Sequence, residues 1–284
     1  RDTIKKAIDS HNGDFYNPQA APNTHQPPAQ PSNPTPPGDD PPPDTQLGQD
    51  TPEAREAYLQ SSAAHFMQGF INGIQDSVNT PYIPTGFNRL DSVLDGGLYE
   101  GLYIMGAITS LGKTSLALQI ADQIAQAGQD VLIFSLEMAR TELMAKSISR
   151  LTFMGCDLTN EAKTTRGITT GKRYQHYSQA EHDLIKASMK QYTDYARRIY
   201  ISEGMGDIGA DQIREKINQH ILFTGSLPFV LVDYLQLLAP HDPRSTDKQN
   251  TDKNVLELKR ISRDYKIPVL AISSFNRQNY NSPV

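Results

Sequence analysis

Short, uniformly apolar runs recur from residue 102 onward and constrain the fold more than any other feature of the sequence. Segments with helical spacing of apolar residues separate the runs. Strands that are apolar on both faces are typical of a parallel sheet covered by helices on each side. We therefore predict an α/β domain with a mostly parallel twisted sheet. The predicted strands are Leu102–Met105, Val131–Ser135, Ile199–Ile201, Phe229–Val232 and Val269–Ser273, and the predicted helices are Thr114–Ala127, Arg140–Leu151, a polar region ending at Ala196, Asp207–Ile221 and Asn254–Tyr265.

A proline-rich tract precedes this domain. Twelve of the nineteen prolines lie between Pro18 and Pro52, among polar residues. Such a composition buries too little apolar surface to offset the entropy of ordering, so residues 18–52 are predicted to form a disordered linker. Residues 1–17 are predicted to be the tail of an upstream domain or a disordered segment, and residues 80–284 to form the α/β domain.

A helix is predicted between the linker and the α/β domain. Thr51-Pro52-Glu53 has the composition of a helix start, and apolar residues follow largely at multiples of four. This spacing predicts an amphipathic linker helix over residues 53–78. Its apolar face packs either on its own domain or on a neighbouring subunit, and the sequence favours neither. The residues of that face are Tyr58, Phe66, Phe70 and Ile74.

Composition excludes some classes of protein. The net charge of −5 argues against a protein that coats nucleic acid through bulk positive charge, although a local basic channel remains compatible with it. No apolar stretch reaches the roughly 18 residues of a membrane span, and no signal peptide opens the chain. The single cysteine, Cys156, cannot form an internal disulfide. These features predict a cytoplasmic protein with no membrane partner.

A phosphate-binding loop is predicted between the first strand and the helix after it. The P-loop pattern has a glycine, four variable residues and then Gly-Lys-Ser/Thr. Gly112-Lys113-Thr114 supplies its second half. The pattern places the first glycine at position 107, where the chain has Ala107 and the glycine is one residue earlier, at Gly106. Position 107 needs only a small residue, provided that its φ angle stays negative.

Different residues of the loop are predicted to bind the phosphates of ATP and the Mg²⁺ ion. Backbone N–H groups at a helix N-terminus attract phosphate oxygens, and Gly112 allows a tight turn without a Cβ. Lys113 is predicted to reach the β- and γ-phosphates and Thr114 to offer its hydroxyl to Mg²⁺. The predicted nucleotide-binding residues of the loop are Thr109, Ser110, Leu111, Gly112, Lys113, Thr114 and Ser115.

Two carboxylates are candidates for the same site. Asp233 follows four apolar residues, and a buried carboxylate without a partner is costly, so we predict that it helps to hold Mg²⁺. The alternative is a residue that caps the next turn. Glu137 follows another predicted strand, and parallel strands bring their carboxyl ends to one edge of the sheet. It is a candidate base for the attacking water, or an acidic residue at the start of the next helix.

The ordered set of motifs resembles the ATPase domain of DnaB-type replicative helicases, which is RecA-like. The resemblance covers residues 82–277. In that family alanine typically replaces the first P-loop glycine. Ser135 to Met138 is similar to the catalytic glutamate motif, which implies that Glu137 is catalytic. The strand ending at Asp233 is similar to the Mg²⁺-binding strand, and the segment from Ile267 to Arg277 is similar to the last motif.

The resemblance also implies activities and partners. It implies an ATP hydrolase that moves 5′ to 3′ on single-stranded DNA as a homo-hexamer, with a primase or a loader as a further partner. It places Arg277 among the nucleotide-binding residues. The family usually has Gln where this chain has Ser274, and that Gln is thought to couple nucleotide state to DNA contacts. Family members continue beyond the last motif with an arginine finger, so the α/β domain is expected to lack its C-terminal portion here.

Other functions remain open from the sequence. A RecA-like ATPase that is not a helicase (a recombination mediator, a loader or a regulatory switch) is the main alternative, and an interaction module that has lost turnover is a third. The polar stretch Ala239–Lys253 is interpreted as a surface loop, which in a helicase is also a candidate for DNA contact.

Overall fold

The computed structural model describes residues 51–156, 161–204 and 207–275. The chain divides into two units, Arg1–Thr80 and Pro81–Val284, and each is described by itself. The predicted tail 1–17, nearly all of the predicted linker 18–52 and the predicted nucleotide-binding residue Arg277 lie outside the described residues.

Two helices, rather than one, occupy the predicted linker helix of the first unit. Helix α1 (Pro52–Gln60) starts where the Thr51 hydroxyl accepts a hydrogen bond from the backbone N–H of Ala54 at 3.1 Å. It ends at a Ser-Ser pair: the Ser61 hydroxyl donates to the carbonyl of Tyr58 at 2.6 Å, and Ser62 has extended backbone angles. Serine hydroxyls compete with the helical ladder in this way. A 3₁₀ turn (Ala63–Phe66) and helix α2 (Met67–Ser77) follow, so the single helix predicted over 53–78 is divided.

The second unit is built on a five-stranded parallel sheet. The strands are β1 (Gly101–Ile108), β2 (Val131–Ser135), β3 (Ile199–Glu203), β4 (Phe229–Asp233) and β5 (Pro268–Phe275). Their order in the sheet is β1-β5-β4-β2-β3, and every pair is parallel. The predicted α/β architecture is confirmed, and each predicted strand lies within an observed one.

Alternate residues of the central strands enter two separate cores, one on each face of the sheet. In β2, Val131 and Ile133 pack in the core with the P-loop helix, whereas Leu132 and Phe134 pack in the other. All five residues of β2 are buried. A strand that is covered on both faces has no solvent side, which explains why its sequence is apolar throughout.

Helices cover both faces of the sheet. The first core includes residues of α4, α5 and α8, and the second includes residues of α9 and α10. Within the described ranges no helix is both long and apolar enough to cross a bilayer. The helices of this unit are α3 (Asn88–Val93), α4 (Lys113–Gln126), α5 (Arg140–Met154), α6 (Thr165–Thr169), α7 (Gly171–Tyr174), α8 (Gln179–Ala196), α9 (Ala210–Thr224) and α10 (Asp247–Tyr265), and a 3₁₀ turn spans Leu235–Leu237.

The stretch Ala239–Lys253, interpreted as a loop, is loop only in its first half. Helix α10 begins at Asp247 because Thr246 and Gln249 form a capping box, in which each side chain accepts a hydrogen bond from the backbone N–H of the other. The loop before it is held by Asn250, which is buried and exchanges two 3.0 Å hydrogen bonds with the backbone of Asp242.

Candidate nucleotide-binding site

The loop between β1 and α4 has the backbone geometry of a phosphate cradle. Gly112 has φ 89°, in the left-handed region that favours glycine, and the helix starts at the next residue. Ser110 also has a positive φ of 69°. Ala107 still lies inside β1, where its extended backbone has the negative φ that the sequence argument required. A Cβ at Gly106 would lie 2.2 Å from the ring of Phe275.

The ammonium group of Lys113 lies against the carboxyl ends of β1 and β5. Its Nζ donates to the carbonyl oxygens of Ala107 and Ile108, both at 2.9 Å, and to the Ser274 hydroxyl at 3.3 Å. The lysine is thereby held over its own loop. Ser274, where the sequence resemblance implies Gln, is part of this lysine site.

Asp233 is a buried carboxylate at the end of β4. It is 2 % exposed, and neither of its oxygens makes a hydrogen bond of acceptable geometry with the protein. Burial raises its pKa, the nearby Thr114 hydroxyl lowers it, the Glu137 carboxylate raises it, and the Lys113 and Lys146 ammonium groups lower it. An unsatisfied buried carboxylate costs free energy unless a cation binds it. Asp233 and the Thr114 hydroxyl are the oxygen ligands that Mg²⁺ prefers.

Glu137 lies beside Asp233 because their strands are neighbours in the sheet. Ser135 of β2 is paired with Asp233 of β4, and the N–H of Leu136 donates to the Asp233 carbonyl at 2.8 Å. The turn that follows is closed by the Ser135 hydroxyl, which donates to the Met138 carbonyl at 2.6 Å. Glu137 is exposed, in contrast to Asp233. An exposed carboxylate beside a buried one suits a base that must meet water.

A cavity of about 410 Å³ brings the predicted residues together. Lys113, Glu137 and Asp233 all line it. Leu111 does not line it, and its side chain is 68 % exposed. The hydrophobic side chain of Leu111 therefore adds nothing to the pocket wall. The other predicted loop residues in the lining are Thr109, Ser110, Gly112, Thr114 and Ser115.

Lys146 also lines this cavity, and sequence reasoning did not single it out. It lies on α5, nine residues after Glu137. The sequence signal was weak, because a lysine on an amphipathic helix usually belongs to the solvated face. Only the packing of α5 shows that this lysine faces the P-loop instead.

At the edge that carries the site, the hydrogen-bond ladder between β4 and β5 ends earlier than the ladder between β1 and β5, which leaves two strand pairs, β1–β5 and β4–β2. The β4–β5 pairing has three residue pairs and ends at Val232 with Ala271, whereas the β1–β5 pairing has eight and continues to Ile108 with Phe275. Gln236, which follows β4, reaches across to β5. Its Nε2 donates to the Ser273 hydroxyl at 2.9 Å and to the Ser274 carbonyl at 3.4 Å, and its Oε1 accepts from the Ser274 N–H at 3.4 Å.

Known proteins are similar to this chain in sequence and in fold. A model of the DnaB-like helicase C-terminal domain matches residues 82–283. The chain belongs to this family. Among DnaB-like relatives, the replicative DNA helicase DnaC of Bacillus subtilis (strain 168) is 31 % identical over 225 residues, which cover 78 % of this chain and 44 % of the relative. The replicative DNA helicase DnaB of Geobacillus stearothermophilus is 31 % identical over 227 residues, which cover 78 % of this chain and 44 % of the relative.

The chain therefore spans less than half the length of these DnaB-like relatives. Solved structures agree on the fold. One solved ATPase domain superimposes with a TM-score of 0.63 at 22 % identity, over 78 % of this chain and 74 % of that chain. A DnaB-like replicative helicase, described with its interactions with primase, superimposes with a TM-score of 0.64 at 21 % identity, over 82 % of this chain and 54 % of that chain. The predicted RecA-like fold is confirmed.

Proposed function

We propose that this chain is the motor part of a replicative DNA helicase, which hydrolyses ATP to move 5′ to 3′ along single-stranded DNA and to separate duplex. The observation that carries the proposal is the buried carboxylate of Asp233, which has no hydrogen-bond partner among the described residues and shares one cavity with Lys113 and Glu137. A phosphate cradle, a cation ligand and a base at the same edge of a parallel sheet are the parts that ATP hydrolysis needs.

The loop after β1 binds the phosphates. Backbone N–H groups at the start of α4 point toward the cavity, and the helix dipole favours negative charge there. Lys113 exchanges its bonds to the carbonyls of Ala107 and Ile108 for phosphate oxygens. Both sets of acceptors satisfy the ammonium group, so the exchange does not leave a charge unpaired.

Thr114 and Asp233 hold Mg²⁺ at the phosphates, and Glu137 acts on water. Bound Mg²⁺ neutralises charge on the β- and γ-phosphates. Glu137 orients a water molecule and takes its proton as the water oxygen bonds to the terminal phosphorus. The bond from that phosphorus to the bridging oxygen breaks, its electron pair stays with ADP, and phosphate is released.

Single-stranded DNA and further copies of the chain are the proposed partners. The exposed cations Arg244, Lys248 and Lys253 lie in the loop before α10 and on its first two turns, where they are available to DNA phosphates. The aromatic side chains of α1 and α2 are exposed within their unit, which supports docking on a neighbouring subunit of a homo-hexamer. A primase or loader is a further proposed partner, and a cytoplasmic location is proposed for the assembly.

The decisive experiment measures ATP hydrolysis and unwinding of a forked duplex by the full-length protein. We expect hydrolysis to rise with single-stranded DNA and unwinding to require a 5′ tail. Lys113→Ala is expected to abolish nucleotide binding and both activities, while the exposed Lys190→Met serves as a charge-matched control. DNA-stimulated hydrolysis without unwinding would instead indicate an ATPase that is not a helicase, and no hydrolysis would refute the proposal.

A further inference from the structure

Lys146 is a cationic side chain inside the nucleotide cavity that lacks an ion-pair partner among the described residues. It is half-buried and lines the cavity with Lys113, Glu137 and Asp233. Within the described part of the chain it forms no ion pair within 4.0 Å, whereas the ammonium of Lys113 has three acceptors. A lysine that is partly drawn out of bulk water loses hydration, and an anion in the cavity compensates for that loss most strongly. The anionic groups that the cavity itself offers are the two carboxylates.

The position of Lys146 is set by a neighbouring ion pair. Arg150 follows four residues later, so both side chains lie on the same face of α5. The Nη2 of Arg150 donates to Oδ2 of Asp122 at 2.8 Å, and Asp122 is fully buried in α4. This pair fastens that face of α5 to the P-loop helix. Lys146, one turn nearer to Glu137, therefore faces the first turn of α4, where Thr114 lies.

Lys113 and Lys146 approach the cavity from two different elements. Lys113 comes from the P-loop itself, at the β1 side, and Lys146 comes from the helix that follows the Glu137 turn. Thr114 and Glu137 line the same cavity as the two lysines. Both lysines line the cavity that a phosphate chain running from the P-loop toward Glu137 would occupy.

We propose that Lys146 is a second phosphate-binding cation, which contacts the terminal phosphate of a bound triphosphate from the Glu137 side and makes this site prefer triphosphate over diphosphate. The inference rests on the proposed function and adds to it a specificity-determining residue from the same subunit. A diphosphate that sits on the P-loop does not reach Lys146. As the terminal phosphoryl group is transferred to water, the Lys146 ammonium stays paired with its oxygens and stabilises their negative charge.

The test compares the binding of two Mg²⁺ complexes, of a fluorescent ADP and of a non-hydrolysable ATP analogue, to the full-length protein. One charge-assisted contact corresponds to a change of about 10- to 100-fold in affinity. Lys146→Met is expected to weaken binding of the triphosphate analogue by that factor and binding of ADP by less than about 3-fold. Lys146→Arg keeps the charge and is expected to retain most of the preference, and Lys190→Met, which removes an exposed charge on α8, is expected to change neither affinity.

Two outcomes overturn the inference. Equal weakening of ADP and the triphosphate analogue by Lys146→Met would mean that the lysine supports the site without contacting the terminal phosphate. Unchanged affinities in a Lys146→Met protein that circular dichroism shows to be folded would mean that it contacts no phosphate. If the unmodified protein binds neither nucleotide, the proposed function itself fails, which separates the two failures.

Discussion

Replacing Arg150 with methionine is expected to destabilise the domain strongly, because it leaves the carboxylate of Asp122 buried without its counter-charge. Asp122 has no exposed surface, and its second oxygen, Oδ1, has no hydrogen-bond partner in the described structure. Breaking a buried pair in this way costs about 3–5 kcal/mol of unfolding free energy. We place this case at the lower end, about 3 kcal/mol, because the Arg150 side chain is 18 % exposed and water partly screens it.

The loss of unfolding free energy in the Arg150→Met variant should depend on pH. Burial raises the pKa of Asp122, and the hydroxyl of Ser147 and the guanidinium of Arg150 partly oppose that rise. Without Arg150 the folded-state pKa rises further. A group with a raised folded-state pKa stabilises the protein below its unfolded-state pKa and loses that contribution as pH rises through the folded-state value. The variant should therefore lose most stability at pH 8, and the gap to the unmodified protein should narrow toward pH 5.

Urea unfolding followed by circular dichroism at pH 5 and pH 8 measures both effects. For a unit of this size, about 3 kcal/mol corresponds to a fall in melting temperature of about 6–12 °C. The double variant Asp122→Asn with Arg150→Met removes the charge as well and should recover most of the loss at pH 8. Arg197→Met, an exposed arginine, is the control. A gap below about 1 kcal/mol at pH 8, or one that widens toward pH 5, would refute this reasoning.

Three further changes test the site, the β1–β5 contact and the assembly. Asp233→Asn should raise the Mg²⁺ concentration that half-saturates ATP hydrolysis by about 10-fold or more. The same change should raise the melting temperature at pH 8, because burial raises the pKa of Asp233 and makes its charged form costly. A lower melting temperature would contradict this. Gly106→Ala should cost less than about 1 kcal/mol in urea unfolding, because Gly106 is exposed and the half-exposed Phe275 ring can turn away from the added Cβ; a larger loss would mean that the ring is fixed in place. Phe70→Ser should shift the full-length protein from the proposed hexamer to smaller species in light scattering, whereas Phe223→Ser, also exposed but in the other unit, should not; identical behaviour would exclude α2 from the proposed contact.

The sheet and the P-loop could be predicted from the sequence because their signals are local. A strand such as β2 is apolar at four successive positions because both of its faces are covered, and this run can be recognised in the sequence without knowing which strands lie beside it. The glycine at position 112 is required by its own backbone angle. Glu137 and Asp233 could be paired in advance because parallel strands end at the same edge.

Other parts of the site depend on contacts between residues that are distant in the chain. Lys146 lines the cavity because its helix packs on the P-loop helix, through core side chains and through the bond from Arg150 to Asp122, 28 residues before it in the chain. Nothing near Lys146 in the sequence distinguishes it from a solvated lysine. The start of α10 was missed for a different reason: the capping box of Thr246 and Gln249 was present in the sequence, but the polar composition around it indicated a loop.

The division of the sheet has a mechanical consequence. The phosphate cradle belongs to the β1–β5 half, and both carboxylates belong to the β4–β2 half, whose ladder to β5 has already ended at that edge. A triphosphate held from both sides would add a link between the two strand pairs at this edge, where the Gln236 side chain and the P-loop helix, which packs on β2, β4 and β5, already join them. Spin labels at the exposed residues Leu111 and Arg140 would measure the separation of the two strand pairs, and a distance independent of nucleotide would exclude such a link. Cleavage of the terminal phosphate bond is expected to remove that added link, so the separation of the two labels tests whether the chemical step changes the spacing of the strand ends.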